Sequence, residues 1–101
     1  MTQKKNWVYE GDCLLYSIQI EKAALKSLKK LPADAVKNIV RSIDGLKKRP
    51  RPDGCKKLKG QQNLYRIRSG DYRVIYEVRD KVLLVLVVLI GNRKDIYRKF
   101  K

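Results

Sequence analysis

Tyr65-Arg66-Ile67-Arg68-Ser69-Gly70-Asp71-Tyr72-Arg73-Val74-Ile75-Tyr76 decides how this 101-residue chain folds. On both sides of Ser69-Gly70-Asp71 the side chains alternate in character from one residue to the next, which is the period of a strand. A short glycine-containing turn between two such runs makes them an antiparallel hairpin. In residues 64–68 the alternation sends Tyr65 and Ile67 one way and Arg66 and Arg68 the other. Two guanidinium groups therefore leave one face about 6.6–7 Å apart along the strand, close to the spacing of consecutive phosphates on a nucleic-acid chain. Arg73 opens the second strand just past the turn, and Tyr72, Val74 and Tyr76 share a face that reads as sheet packing.

Downstream, a turn at residues 79–81 leads into residues 82–90, apolar on both faces and so expected to form a central strand covered on both sides. Nine residues are too few to span a membrane, which takes roughly 20. Upstream, Leu14, Tyr16, Ile18 and Ile20 alternate with polar residues in another half-buried strand. Glu21 opens a helix with Ala24, Leu25, Leu28 and Leu31 on its apolar face, and Pro32 breaks it. Val36, Ile39, Val40, Ile43 and Leu46 keep helical spacing over residues 33–47, with Asp34 near the start as the helix dipole favours. The two helices are expected to form an antiparallel hairpin. Two prolines and a glycine make residues 48–54 a basic surface loop.

The order is β-α-α-β-β-β, an α+β fold with a helix hairpin packed on a small, mostly antiparallel sheet. Length sets one domain over residues 1–101, of which 1–12 form an irregular N-terminal arm. Cys13 and Cys55 lie far apart and outside any C-x-x-C pair, so they read as inert free thiols in a reducing cytosol, and no metal site is expected. The N-terminus has no apolar stretch behind its lysines, so no secretory leader is predicted and the expected location is cytoplasmic.

The formal charge is +15, from 25 Lys and Arg against 10 Asp and Glu, and the excess is uneven. Residues 1–46 carry 8 basic and 5 acidic side chains, whereas residues 47–101 carry 17 and 5. Such an imbalance implies a polyanionic partner, with the second half as the contact surface. The chain has no histidine. By themselves, composition and periodicity reach a basic α+β domain that binds a polyanion.

Leu58-Lys59-Gly60, the run from Tyr65 to Tyr76, and Gly91-Asn92-Arg93-Lys94-Asp95-Ile96-Tyr97, in that order, resemble the RelE-type toxins of the RelE/ParE toxin-antitoxin superfamily. The resemblance covers about residues 14–99. It implies a type II toxin acting as a ribosome-dependent mRNA endoribonuclease, which enters the A site and cuts the bound message. It also implies a co-expressed RelB-like antitoxin with an acidic or amphipathic segment, and contact with operator DNA only through that complex. No cofactor is implied.

Metal-free cleavage proceeds by attack of a ribose 2′-hydroxyl on the adjacent phosphate, which needs a proton acceptor, charge stabilisation and a proton donor. By resemblance Arg73, Arg93 and Tyr97 are the catalytic candidates. Arg66, Arg68, Lys56, Lys57, Lys59 and Lys94 are the RNA-binding ones. Arginine is a poor proton shuttle, so Arg66 and Arg68 are assigned to phosphate binding and Tyr97 is the best titrating group of the matched positions. Two competing readings stand beside this one: a ParE-like toxin that inhibits DNA gyrase by protein contact without nuclease activity, and an inactive relative that binds RNA or an operator.

Overall fold

The computed structural model describes residues 15–60, 62–92 and Ile96. In chain order the elements are β1 (Ser17–Ile20), α1 (Lys22–Lys29), α2 (Ala33–Gly45), β2 (Lys56–Lys57), β3 (Leu64–Ser69), β4 (Tyr72–Arg79) and β5 (Leu84–Asn92). The strands form one sheet in the order β1-β5-β4-β3-β2, with β1 parallel to β5 and the other neighbours antiparallel.

Each helix forms where the apolar spacing marks it and buries the expected stripe. Ala24 and Leu28 of α1 and Ile39 and Ile43 of α2 are buried, as is Leu46 just beyond. They pack against Ile67, Val74, Tyr76, Val78, Val85, Val87 and Ile90 on one face of the sheet. Leu25 and Val40, assigned to the same stripes by spacing, lie at their margins and remain exposed. Pro32 sits between the helices as the N-cap of α2, where its missing N–H costs nothing. The amide of Tyr16 donates to the Lys47 carbonyl (2.8 Å), which ties β1 to the end of α2.

Three features differ from the sequence reading. First, the sheet has a fifth strand: Lys56 pairs with Arg66 and Lys57 with Tyr65. A two-residue strand has no alternation to detect, and pairing with β3 makes it. Second, the turn expected at residues 79–81 is a 3-10 turn over Asp80–Val82, with Leu83 in the left-handed region (φ 51°), so β5 starts at Leu84. Val82 is thereby left outside the strand and exposed. Third, β5 is covered fully on one face only. Val85, Val87 and Ile90 are buried against the helices, while Leu84, Leu86, Val88 and Leu89 are half-buried.

The register of β4 with β5 shifts between Ile75 and Tyr76: Ile75 faces Leu89 while Tyr76 faces Val87. Val88 is therefore an extra residue, a β-bulge. Before the bulge Val85 and Val87 point to the helices; after it Ile90 does, and Gly91 lies on the outer face with Arg73.

Candidate nucleic-acid interface

Cross-strand neighbours share a face, so the register turns the sequence alternation into a surface. The outer face, away from the helices, carries Lys56 opposite Arg66, then Ile75 and Leu89 in the same row. The next row holds Arg68 opposite Arg73, and Arg73 opposite Gly91. Lys56, Arg66, Arg68 and Arg73 thus stand together across three strands. Lys57 pairs with Tyr65 and belongs to the opposite face, while Lys59 is exposed in the loop after β2. Arg93, Lys94 and Tyr97 lie outside the described residues, following directly from β5.

The arginines differ in their surroundings. Arg68 is exposed, and its Nε donates to the carbonyl of Gly70 at the turn (3.2 Å). Gly70 takes a positive φ of 60° there, a conformation glycine adopts without steric cost. Arg73 is only 7% exposed. Its Nη1 donates to the Tyr72 carbonyl at 3.3 Å, and its buried Nε has no hydrogen-bond partner among the described residues. Neither arginine has a carboxylate among the ion pairs of the described residues. A buried cation in that condition is costly for a fold and is suited to meeting an anion from outside.

Beyond β5, the chain returns to the strand end. Ile96 is buried, and a Cβ added to Gly91 would stand 3.4 Å from its Cγ1. The segment that carries residues 93–97 therefore begins and closes beside the row that holds Arg68 and Arg73.

At the other end of the sheet the cations are paired. Arg51 clamps Asp80 with both Nη atoms (3.2 and 2.7 Å) and donates from Nε to the Tyr65 hydroxyl (2.9 Å). Tyr16 also donates to Asp80 Oδ1 (2.6 Å). Hydrogen bonding from Arg51, with Tyr16 adding to it, holds the Asp80 carboxyl below the usual carboxylate range. The same Asp80 bond raises the Tyr16 phenol. Tyr76, fully buried and stacked on Tyr65 (ring centroids 6.0 Å apart), donates to the Pro50 carbonyl (2.7 Å). Burial pushes its phenol well above the ordinary value. Arg51, read as part of a solvated basic loop, is thus a structural tie. Its partner lies 29 residues away, and no local pattern marks the pair.

Two other groups complete the outer face. Glu77 lies opposite Leu64 and is held by Arg79 Nη2 at 3.2 Å. The sequence reading did not single it out. Among the described residues no group of three or more Cys, Asp or Glu is gathered as a metal site would need. The face is cationic, and a divalent cation would be repelled by the same guanidinium groups that attract phosphate.

The comparisons with known proteins agree with this architecture. Residues 18–97 match the family described as ParE toxin of type II toxin-antitoxin system, parDE. A RelE1 toxin candidate of Methanocaldococcus jannaschii is 34% identical over 86 residues, covering 82% of this chain and 96% of that protein. The mRNA interferase toxin RelE of Escherichia coli is 29% identical over 83 residues, covering 80% and 86%. Among solved structures, the archaeal RelE–RelB complex of Pyrococcus horikoshii aligns with a TM-score of 0.71 at 33% identity, over 78% of this chain and 96% of that one. The intact E. coli RelBE toxin-antitoxin complex aligns with a TM-score of 0.68 at 29% identity, over 76% and 95%. With a family model spanning most of its length and a third of its residues shared with an archaeal relative, the chain belongs to the ParE/RelE family of type II toxin-antitoxin toxins, as a RelE-type member.

Proposed function

We propose that this chain is a ribosome-dependent mRNA endoribonuclease, the toxin of a type II pair, cutting by attack of a ribose 2′-hydroxyl on the adjacent phosphate. The observation that carries the reading is Arg73: a buried guanidinium with an unpartnered Nε, directly across from Arg68 on a face without a competing carboxylate in its row. The scissile phosphate supplies the missing anion, and its growing charge in the transition state is what a preorganised guanidinium stabilises most. Arg66 and Arg68 grip flanking phosphates. Arg93 and Tyr97, carried by the segment that leaves Gly91, complete the catalytic set, with Lys94 beside them on RNA. The E. coli relative's name, mRNA interferase, supports this chemistry.

The relatives solved with RelB support a RelB-like antitoxin as the partner of this chain, and through it contact with operator DNA. Ribosomes and their mRNA are the target, and the cytoplasm is the place of action. Among the described residues no helix is long and apolar enough to cross a membrane.

The test adds purified protein to ribosomes programmed with a defined mRNA. Cleavage within the A-site codon is expected, lowered by Arg93→Ala and by Tyr97→Phe while ribosome binding persists. The description of the matched family as ParE favours a second reading, a toxin that binds DNA gyrase without cutting RNA. Intact mRNA beside inhibited gyrase would establish that alternative and overturn the first.

A further inference from the structure

We infer that Lys56 is a catalytic residue: the general acid that protonates the leaving 5′-oxygen. The inference rests on the nuclease reading above. The strand pairing of Lys56 with Arg66 sets its side chain on the outer face, Cβ to Cβ about 4.5–5.5 Å from that arginine as cross-strand partners stand. One row further, about 6.6–7 Å along β3, is the Arg68–Arg73 row, within reach of a side chain of lysine's length.

What singles out Lys56 is what its neighbours cannot do. The groups around it on this face are Arg66 directly across, Arg68 and Leu64 on the diagonals, then Ile75, Arg73 and Glu77 on β4. The guanidinium groups keep their protons at any pH the protein meets. Glu77 is engaged by Arg79 and stands two residues beyond Ile75, away from Arg73. Lysine's ammonium is the protonated form at neutral pH and, unlike guanidinium, can give its proton up. Lys56 has no hydrogen bond or ion pair among the described residues, so its ammonium is available.

The position is also held. β2 follows the loop that Tyr76 fastens at the Pro50 carbonyl and Arg51 fastens at Asp80 and Tyr65. The Cys55 amide donates to Pro52 (3.0 Å), and the Leu58 amide donates to Leu64 (3.0 Å), closing the far side. A two-residue strand pinned before and after presents its outward lysine at a fixed register.

In the step itself, the 2′-oxygen forms its bond to phosphorus as the bond from phosphorus to the 5′-oxygen breaks. The 2′-hydroxyl proton passes to solvent water, and the 5′-oxygen takes a proton from Lys56 Nζ. The products are a 2′,3′-cyclic phosphate and a 5′-hydroxyl, and the neutral amine regains its proton from solvent.

The experiment measures single-turnover cleavage of ribosome-bound mRNA by wild type and Lys56→Arg. One mRNA is natural; the other carries a bridging 5′-sulfur at the mapped scissile bond, whose thiolate leaves without a proton. Lys56→Arg keeps the charge and loses the transferable proton. It is expected to cut natural mRNA about 10²-fold more slowly and the 5′-thio mRNA within about 3-fold of wild type. A natural-mRNA rate within about 3-fold of wild type, or an equal loss on both substrates, overturns the acid role in favour of a phosphate contact. If wild type leaves natural mRNA whole, the nuclease reading itself falls, and the role of Lys56 with it.

Discussion

Two ends of the same sheet hold their arginines in opposite ways. At the β1–α2 end, Arg51 meets a carboxylate with both Nη atoms, a tyrosine hydroxyl with Nε, and lies with its guanidinium carbon 5.1 Å from the Tyr65 ring centroid. At the end that holds the β3–β4 turn, Arg68 and Arg73 face each other with only backbone carbonyls for hydrogen-bond acceptors. Pairing inside the protein spends a cation on structure. Leaving one buried and unpaired weakens the fold and keeps the charge for something that arrives. The second half of the chain is strongly basic throughout, so charge density alone does not separate structural arginines from functional ones. The partners do.

Substitutions at the two ends should therefore move different observables. Arg73→Met has the largest expected effect, a loss of mRNA cleavage of about 10²–10³-fold, as for removal of one transition-state donor. Its thermal midpoint should be unchanged or raised, because an uncompensated buried charge is gone. A large fall in the midpoint would mean that Arg73 is structural after all. Tyr76→Phe should do the reverse, costing about 1–2 kcal/mol in urea unfolding by removing the 2.7 Å bond to Pro50 from a buried site. Arg51→Met should cost less, about 1 kcal/mol, since Asp80 is half exposed and water screens the pair. A loss of stability no greater than experimental error would show that the clamp only decorates the surface.

The smallest effect is one of pH. The Asp80 carboxyl is held below its ordinary value by Arg51 and Tyr16, so its contribution to stability is present above the unfolded-state value, about 4, and is lost as pH falls through the lowered one. Thermal midpoints of wild type should drop more steeply than those of Asp80→Asn on acidification below about pH 4. Parallel curves would remove Asp80 from the account.

Much of this was legible in the chain. The alternation around Tyr65–Tyr76 gives the hairpin, the faces of Arg66 and Arg68, and the burial of Val74 and Tyr76, because period and burial are the same fact in a strand packed on one side. The helices follow equally from spacing. What could not be read is whatever depends on pairing rather than pattern. Lys56–Lys57 forms a strand only because β3 is beside it, which also sorts Lys56 from Lys57 by face. The exchange of partners between Arg51 and Asp80 spans distant segments, and no short-range rule anticipates it. The isolation of Arg73 is likewise a property of its neighbours. Val82 and Leu83 look like strand residues by composition, yet they turn the chain because Asp80 is anchored from outside.

The extra residue at Val88 has a consequence for how such a chain can change over time. Substitutions along β5 exchange one side chain for another and leave the rest where they were. Deleting a single residue there would act like a frameshift in three dimensions: Gly91, and the start of everything after it, would exchange the outer face for the helix side. Loops elsewhere can lengthen or shorten with little penalty. This strand must keep its count, so a descendant that lost Val88 would keep the composition of its arginine-rich surface and lose the placement that joins it to the C-terminal segment.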